Sequence, residues 1–147
     1  MYTKRFYPRK PVKTFQDLDV YQKTYGLAVT IVKKIKGNES KIAQNLRETV
    51  LEIPKQIASA HSIRFGRTAA SVDALEEAML LCNLAVLYLE EFRDIENPAK
   101  EQKEHIEDSL TIAHEFFMEN IQEYLRVRTK IMRLQKAWLK FMTQKQE

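Results

Sequence analysis

The chain contains few of the residues that break helices or crosslink strands. Its 147 residues include three glycines, four prolines and one cysteine, Cys82. A single cysteine cannot form an intrachain disulfide, which favours a reducing, cytoplasmic setting. No apolar run approaches the ~18 residues of a membrane helix, and the basic N-terminus lacks the apolar run of a signal peptide. With 44% hydrophobic residues, this composition predicts a single all-α domain and no membrane partner.

Residue patterns that support catalysis are also scarce. The three histidines, His61, His105 and His114, have no partner at the i, i+4 spacing of a helical metal site. Neither a glycine-rich phosphate loop nor a Glu-x-x-His pair is present. Cys82 lies in the most apolar part of the chain, where a thiol acts as packing. We therefore expect no catalytic residues, no metal and no cofactor, with a helical nuclease as the least favoured alternative.

Positive charge is concentrated at the two ends of the chain. Residues 1–16 carry five basic and no acidic side chains, and residues 126–147 carry seven basic against one acidic. The segment between them carries twelve basic and nineteen acidic side chains. Basic ends on an acidic body have three interpretations. The ends bind a polyanion, they bind the acidic body of another subunit, or they are two solubilising tails.

Hydrophobic periodicity predicts an up-down-up-down four-helix bundle over residues 15–142. It follows an extended basic arm, 1–14, and precedes a short C-terminal tail, 143–147. We expect the four helices to begin near Asp17 (an N-cap), Glu39 (after an Asn38 cap), Thr68 or Ser71, and Asn97-Pro98. Their expected ends are Gly37-Asn38, Phe65, Glu96 and Met142.

Two of these helices have unusual features. Pro54 lies inside the second helix without shifting its apolar stripe, so we expect a kink there. The third helix is apolar around most of its circumference between Met79 and Leu89, which favours burial against a second subunit. The predicted oligomer interface comprises Leu81, Leu84, Tyr88, Phe92 and Trp138.

Basic side chains recur at helical spacing near the C-terminus. This predicted basic stripe comprises Arg126, Lys130, Arg133, Lys136 and Lys140. The N-terminal arm adds Lys4, Arg5, Arg9 and Lys10. An amphipathic basic helix suits a phosphate backbone, so these nine residues are the candidate nucleic-acid contacts. A solvated face and a membrane-surface helix are the alternatives for the stripe. Arg64 and Arg67, in the turn after the second helix, are interpreted as solvated.

One block of the sequence resembles a known family. The block reads Phe15-x-Asp-Leu-x-Val-Tyr-Gln-Lys, then Leu27-Ala, Leu46-Arg and Ile53-Pro-x-x-Ile-Ala. It is similar to the four-helix-bundle proteins encoded within intervening sequences of bacterial 23S ribosomal RNA genes. Ser59-Ala60 departs from the acidic residue and glycine usual there. Ala137-Trp-Leu-Lys140 also resembles the accessory variability proteins of diversity-generating retroelements.

The resemblance implies a homopentameric, non-enzymatic bundle that binds nucleic acid and partners a reverse transcriptase. The expected function is binding of RNA or an RNA–DNA intermediate, most closely in the retroelement role. The ribosomal intervening-sequence role and a scaffold that binds only protein partners are the alternatives.

Overall fold

Four α-helices make up the fold in a computed structural model that describes residues 11–97 and 112–145, with side chains described as far as Met142. The helices are α1 (Asp19–Lys34), α2 (Lys41–Ile63), α3 (Thr68–Glu91) and α4 (His114–Lys145). A 3-10 turn, Phe15–Asp17, precedes α1, and a π-helical turn, Phe92–Glu96, continues α3. No strand occurs in these ranges, so the predicted all-α class is confirmed. Residues 1–10 of the predicted arm lie outside the described residues.

Contacts between the helix ends establish an up-down-up-down topology. The Ser71 hydroxyl donates to the Ala60 carbonyl (2.7 Å), joining the start of α3 to the end of α2. The Gln135 amide near the end of α4 donates to the Val72 carbonyl near the start of α3 (3.2 Å). Lys130 pairs with Asp19 at the start of α1 (2.9 Å). One end of the bundle therefore gathers the starts of α1 and α3 with the ends of α2 and α4.

The caps of the first two helices differ from those predicted. Asp17 does not cap α1; its carboxylate accepts hydrogen bonds from the backbone N–H groups of Lys13 (2.9 Å) and Thr14 (3.1 Å). Ser40, rather than Asn38, caps α2 by accepting from the Ala43 N–H group (3.1 Å). Gly37, in the turn between α1 and α2, has a φ of +90°, a conformation that L side chains rarely adopt.

Helix α2 runs through Pro54 without a break from Lys41 to Ile63. Pro54 is buried, together with the predicted stripe residues Leu46, Val50, Ile53 and Ile57. The proline ring is thus part of the core, and the predicted kink stays a prediction.

The described part of the final helix begins at His114. Asn97 ends the π-helical turn, and its side-chain amide donates to the Ile112 carbonyl (3.0 Å) while its oxygen accepts from the Ile112 N–H group (3.1 Å). A continuous helix over those residues would separate the two by about 22 Å. The structure therefore excludes one continuous helix from Asn97 to Met142, a continuity that the sequence left open, and the helix predicted to open at Pro98 lies outside the described residues. The described α4 has 32 residues.

The core is filled by one face of each helix. Its largest fully buried side chains include Phe117, Tyr124, Ile31, Leu46, Ile53 and Leu75. Phe92, predicted at a subunit interface, is only 3% exposed and packs against Phe117 with 5.8 Å between ring centroids. That prediction is corrected, because the π-helical turn carries Phe92 into the core of its own chain.

Candidate nucleic-acid interface

The C-terminal third of α4 lies between two other parts of the chain. On one side, Ala137 and Trp138 meet the α2–α3 turn at Arg64, Phe65 and Thr68. On the other side, the start of α1 forms a groove with α4, lined by Val12, Asp17, Leu18, Asp19, Val20, Lys130, Arg133, Leu134 and Ala137. Three segments that are distant in the sequence thus meet at one end of the bundle.

Two residues of the predicted basic stripe already neutralise carboxylates. Lys130 pairs with Asp19 (2.9 Å), and Arg126 pairs with Glu123 (2.9 Å). Glu123 also binds Lys23 (2.9 Å), and that hydrogen bond, with Arg126 alongside, lowers the pKa of the Glu123 carboxyl group. Lys130 therefore links α4 to α1, whereas Arg126 pairs within α4, and both contribute less net charge to a phosphate than the stripe pattern suggests.

The other three residues of the stripe are exposed near the end of α4. Arg133, Lys136 and Lys140 form no ion pair with any carboxylate of the described residues. Residues 133–142 contain no acidic residue at all. These three cations are therefore available to an anionic partner. The four predicted arm contacts, Lys4, Arg5, Arg9 and Lys10, lie outside the described residues.

The fold adds two arginines that the sequence analysis assigned to solvent. Arg64 and Arg67 flank Phe65 in the turn beside the C-terminal third of α4, and residues 62–72 contain no acidic residue. Arg67 occupies the N-cap position of α3, where no side chain caps the first N–H groups. The positive end of the α3 dipole therefore adds to the charge of the two arginines. The sequence signal that could have identified these two arginines as part of the interface is the aromatic residue between them in a turn.

Aromatic side chains form a small cleft between this turn and α4. The cleft has a volume of about 330 Å³ and is lined by Arg64, Phe65, Thr68, Ala137, Trp138 and Phe141. Phe65 is 68% exposed and Phe141 is 52% exposed. The Arg64 guanidinium lies 4.2 Å from the centroid of the Phe65 ring. Trp138, predicted at a subunit interface, thus lines a cleft of its own chain.

Buried titratable groups lie beside this end of the bundle. His61 is 5% exposed, and its ring centroid lies 6.4 Å from that of Trp138. Burial and the charge of Arg64 lower the pKa of His61, opposed in part by Asp17. Burial raises the pKa of the Cys82 thiol to about 12, so Cys82 is protonated and unreactive in the core. Among the described residues, no three His, Cys, Asp or Glu side chains converge on a possible metal position.

The outward face of α3 includes the predicted interface residue Leu84, but its two most exposed leucines each lie one position before a predicted residue. Leu80 is 51% exposed and Leu87 is 47% exposed, with half-buried Leu84 between them on the same face. Predicted residues Leu81 and Tyr88 are half-buried and pack against the core of their own chain. Leu80, Leu84 and Leu87 therefore form the outward leucine row of α3.

Comparison of the chain with models of protein families, with curated proteins and with solved structures gives no match. Within the described ranges, none of the helices has both the length and the apolar character needed to cross a membrane.

Proposed function

We propose that this protein is a non-enzymatic, oligomeric bundle that binds RNA or an RNA–DNA intermediate at one end. The observation that supports this most directly is the basic end, which we define as Arg64, Arg67, Arg133, Lys136 and Lys140. These five cations lie on two segments, 62–72 and 133–142, that contain no acidic residue. Contacts between the α2–α3 turn and α4 place the two segments side by side.

Phosphate contacts would supply most of the affinity of such a surface. Each phosphate that is neutralised releases counterions, so binding is strong at low salt and weak at high salt. No helix of the described residues forms part of a groove-reading motif, so binding is expected to depend little on base sequence. The N-terminal arm, whose described residue Val12 lines the groove between α1 and α4, would add further cations to the same end.

The biological role is proposed from the resemblance. An accessory protein of a cytoplasmic retroelement would bind template RNA or cDNA at the basic end and present it to a reverse transcriptase. A homopentamer would place five such ends in one ring. In the ribosomal alternative, the same surface would bind RNA without a polymerase partner.

A scaffold that binds only protein is the second candidate function. The outward leucine row of α3 favours it, because exposed leucines at Leu80 and Leu87 suit an apolar partner surface. This candidate predicts no affinity for nucleic acid, which separates it from the first.

Charge reversal tests the proposal. The variant R133E/K136E/K140E should bind single-stranded RNA at least about 100-fold more weakly than wild type at low salt, because three phosphate contacts become repulsive. Circular dichroism should show the same helical content, since all three side chains are exposed. Binding is measured by fluorescence anisotropy of a labelled oligonucleotide.

The matched control reverses three exposed lysines at the opposite end of the bundle. The variant K33E/K36E/K41E has the same change in net charge, and its affinity should stay within about threefold of wild type. Equal losses in both variants would show that net charge alone governs binding. No binding by wild type at low salt would favour the protein scaffold.

A further inference from the structure

We infer that the aromatic cleft is a stacking site for an unpaired nucleobase, so the ligand of the basic end is single-stranded RNA or DNA. This inference rests on the proposed function and specifies the substrate of the same surface. The cleft is lined by Arg64 of the α2–α3 turn and by aromatic side chains of that turn and of α4.

The shape of the cleft suits one flat ring system. Its volume of about 330 Å³ lies at the small end of the range of ligand pockets. Phe65 and Phe141 approach it from two different segments and expose more than half of their surfaces. Bases of every type stack on aromatic side chains, and this stacking does not require a particular sequence.

The charge around the cleft selects the occupant. Arg64 lines it with its guanidinium 4.2 Å from the Phe65 ring centroid, and arginine stacks on bases as well as binding phosphates. Lys140 and Arg67 lie on the same two segments as the lining residues, so each segment that forms the cleft also carries a cation. A ligand with both a flat apolar group and a repeating negative charge uses all of these features. A base within a duplex is already stacked on both faces and cannot enter the cleft.

Two strands with the same number of phosphates, one with bases and one without, distinguish the contribution of stacking to affinity from that of charge. One is an oligonucleotide of about twelve nucleotides, and the other is an abasic strand of the same length. Wild type should bind the strand with bases about 5- to 150-fold more tightly than the abasic strand. Trp138 is the only tryptophan and lines the cleft, so its emission should change with the first strand and not with the second.

Substitutions that keep apolar volume but remove aromatic faces complete the test. The variant F65L/F141L should bind both strands equally, with the affinity that wild type has for the abasic strand. The control Y25L changes an aromatic side chain that is 54% exposed on α1, outside the cleft, and should keep the preference for bases.

The outcomes distinguish this inference from the proposed function. Equal binding of both strands by wild type would overturn the stacking site and leave phosphate binding intact. A preference for bases that persists in F65L/F141L would also overturn it, because the bases would then stack elsewhere. If wild type bound neither strand, the proposed function would fail and the stacking site with it.

Discussion

Pro54 shows how one residue can have opposite effects on local and tertiary stability. In a free helix, replacing proline by alanine would stabilise by ~3 kcal/mol. In this bundle the ring is buried, and its loss removes two methylene groups, which costs about 1.6 kcal/mol plus a term for the cavity. We expect P54A to raise the free energy of unfolding by about 1 kcal/mol or less. Urea denaturation measures this free energy of unfolding, and K55A, at a neighbouring exposed position, is the control. A gain of the full free-helix value would show that Pro54 contributes nothing to packing.

His61 should make stability depend on pH. Burial and Arg64 lower its folded-state pKa below the ordinary value, so the unfolded chain binds the proton more readily. The stabilisation from neutral His61 is complete above an unfolded-state pKa of about 6.5 and is lost as the pH falls through the lowered folded-state value. Urea midpoints at about pH 7.5 and pH 5.5 should therefore differ more for wild type than for H61Q. An identical difference in the two proteins would contradict the lowered pKa.

At the scale of the element, the clasp between Asn97 and Ile112 joins the end of the π-helical turn to the residues that precede α4. N97A removes two hydrogen bonds, at 3.0 and 3.1 Å, and leaves the Ile112 backbone without these partners. We expect a loss of about 1–3 kcal/mol in the free energy of unfolding. N83A, at an exposed position in α3, is the control and should change stability by less than about 0.5 kcal/mol. Equal stability of N97A and wild type would show that the clasp is dispensable.

The helices that periodicity predicted well are those with one apolar face. The stripe of α2 from Leu46 to Ile57 is buried as expected, because tertiary packing follows a 3.6-residue period. Periodicity left the continuity of the final helix open, because the interruption is held by Asn97, which bonds to Ile112, fifteen residues away. Side-chain hydrogen bonds at that separation leave no periodic signal.

The sequence could not predict which face of α3 points outward or which residues make up the basic end. From Met79 to Leu89 only Asn83 is polar, so the sequence does not distinguish the inward face from the outward one. The structure shows Leu80 and Leu87 outside and Phe92 inside. Arg64 and Trp138 meet only because α2 and α4 end at the same place, a tertiary contact across more than seventy residues.

At the scale of the whole molecule, the outward leucine row of α3 should hold subunits together. Light scattering at micromolar concentration should give several times 17.3 kDa for wild type. L80E/L87E should shift the mass to that of a monomer without loss of helix, because both side chains are about half exposed. L125E, which places a charge at an exposed leucine of α4, is the control and should leave the mass unchanged. A monomeric wild type would exclude the ring.

The salt dependence of binding tests the central claim most directly. If the five residues of the basic end each neutralise a phosphate of single-stranded RNA, the slope of log affinity against log salt should be about −3.5, and steeper if the arm also binds. R64Q/R67Q should reduce the magnitude of that slope by about 1.4. This result would show that the α2–α3 turn and α4 bind one strand together. A wild-type slope near zero, or a slope unchanged in R64Q/R67Q, would contradict the assignment of the basic end as a nucleic-acid interface.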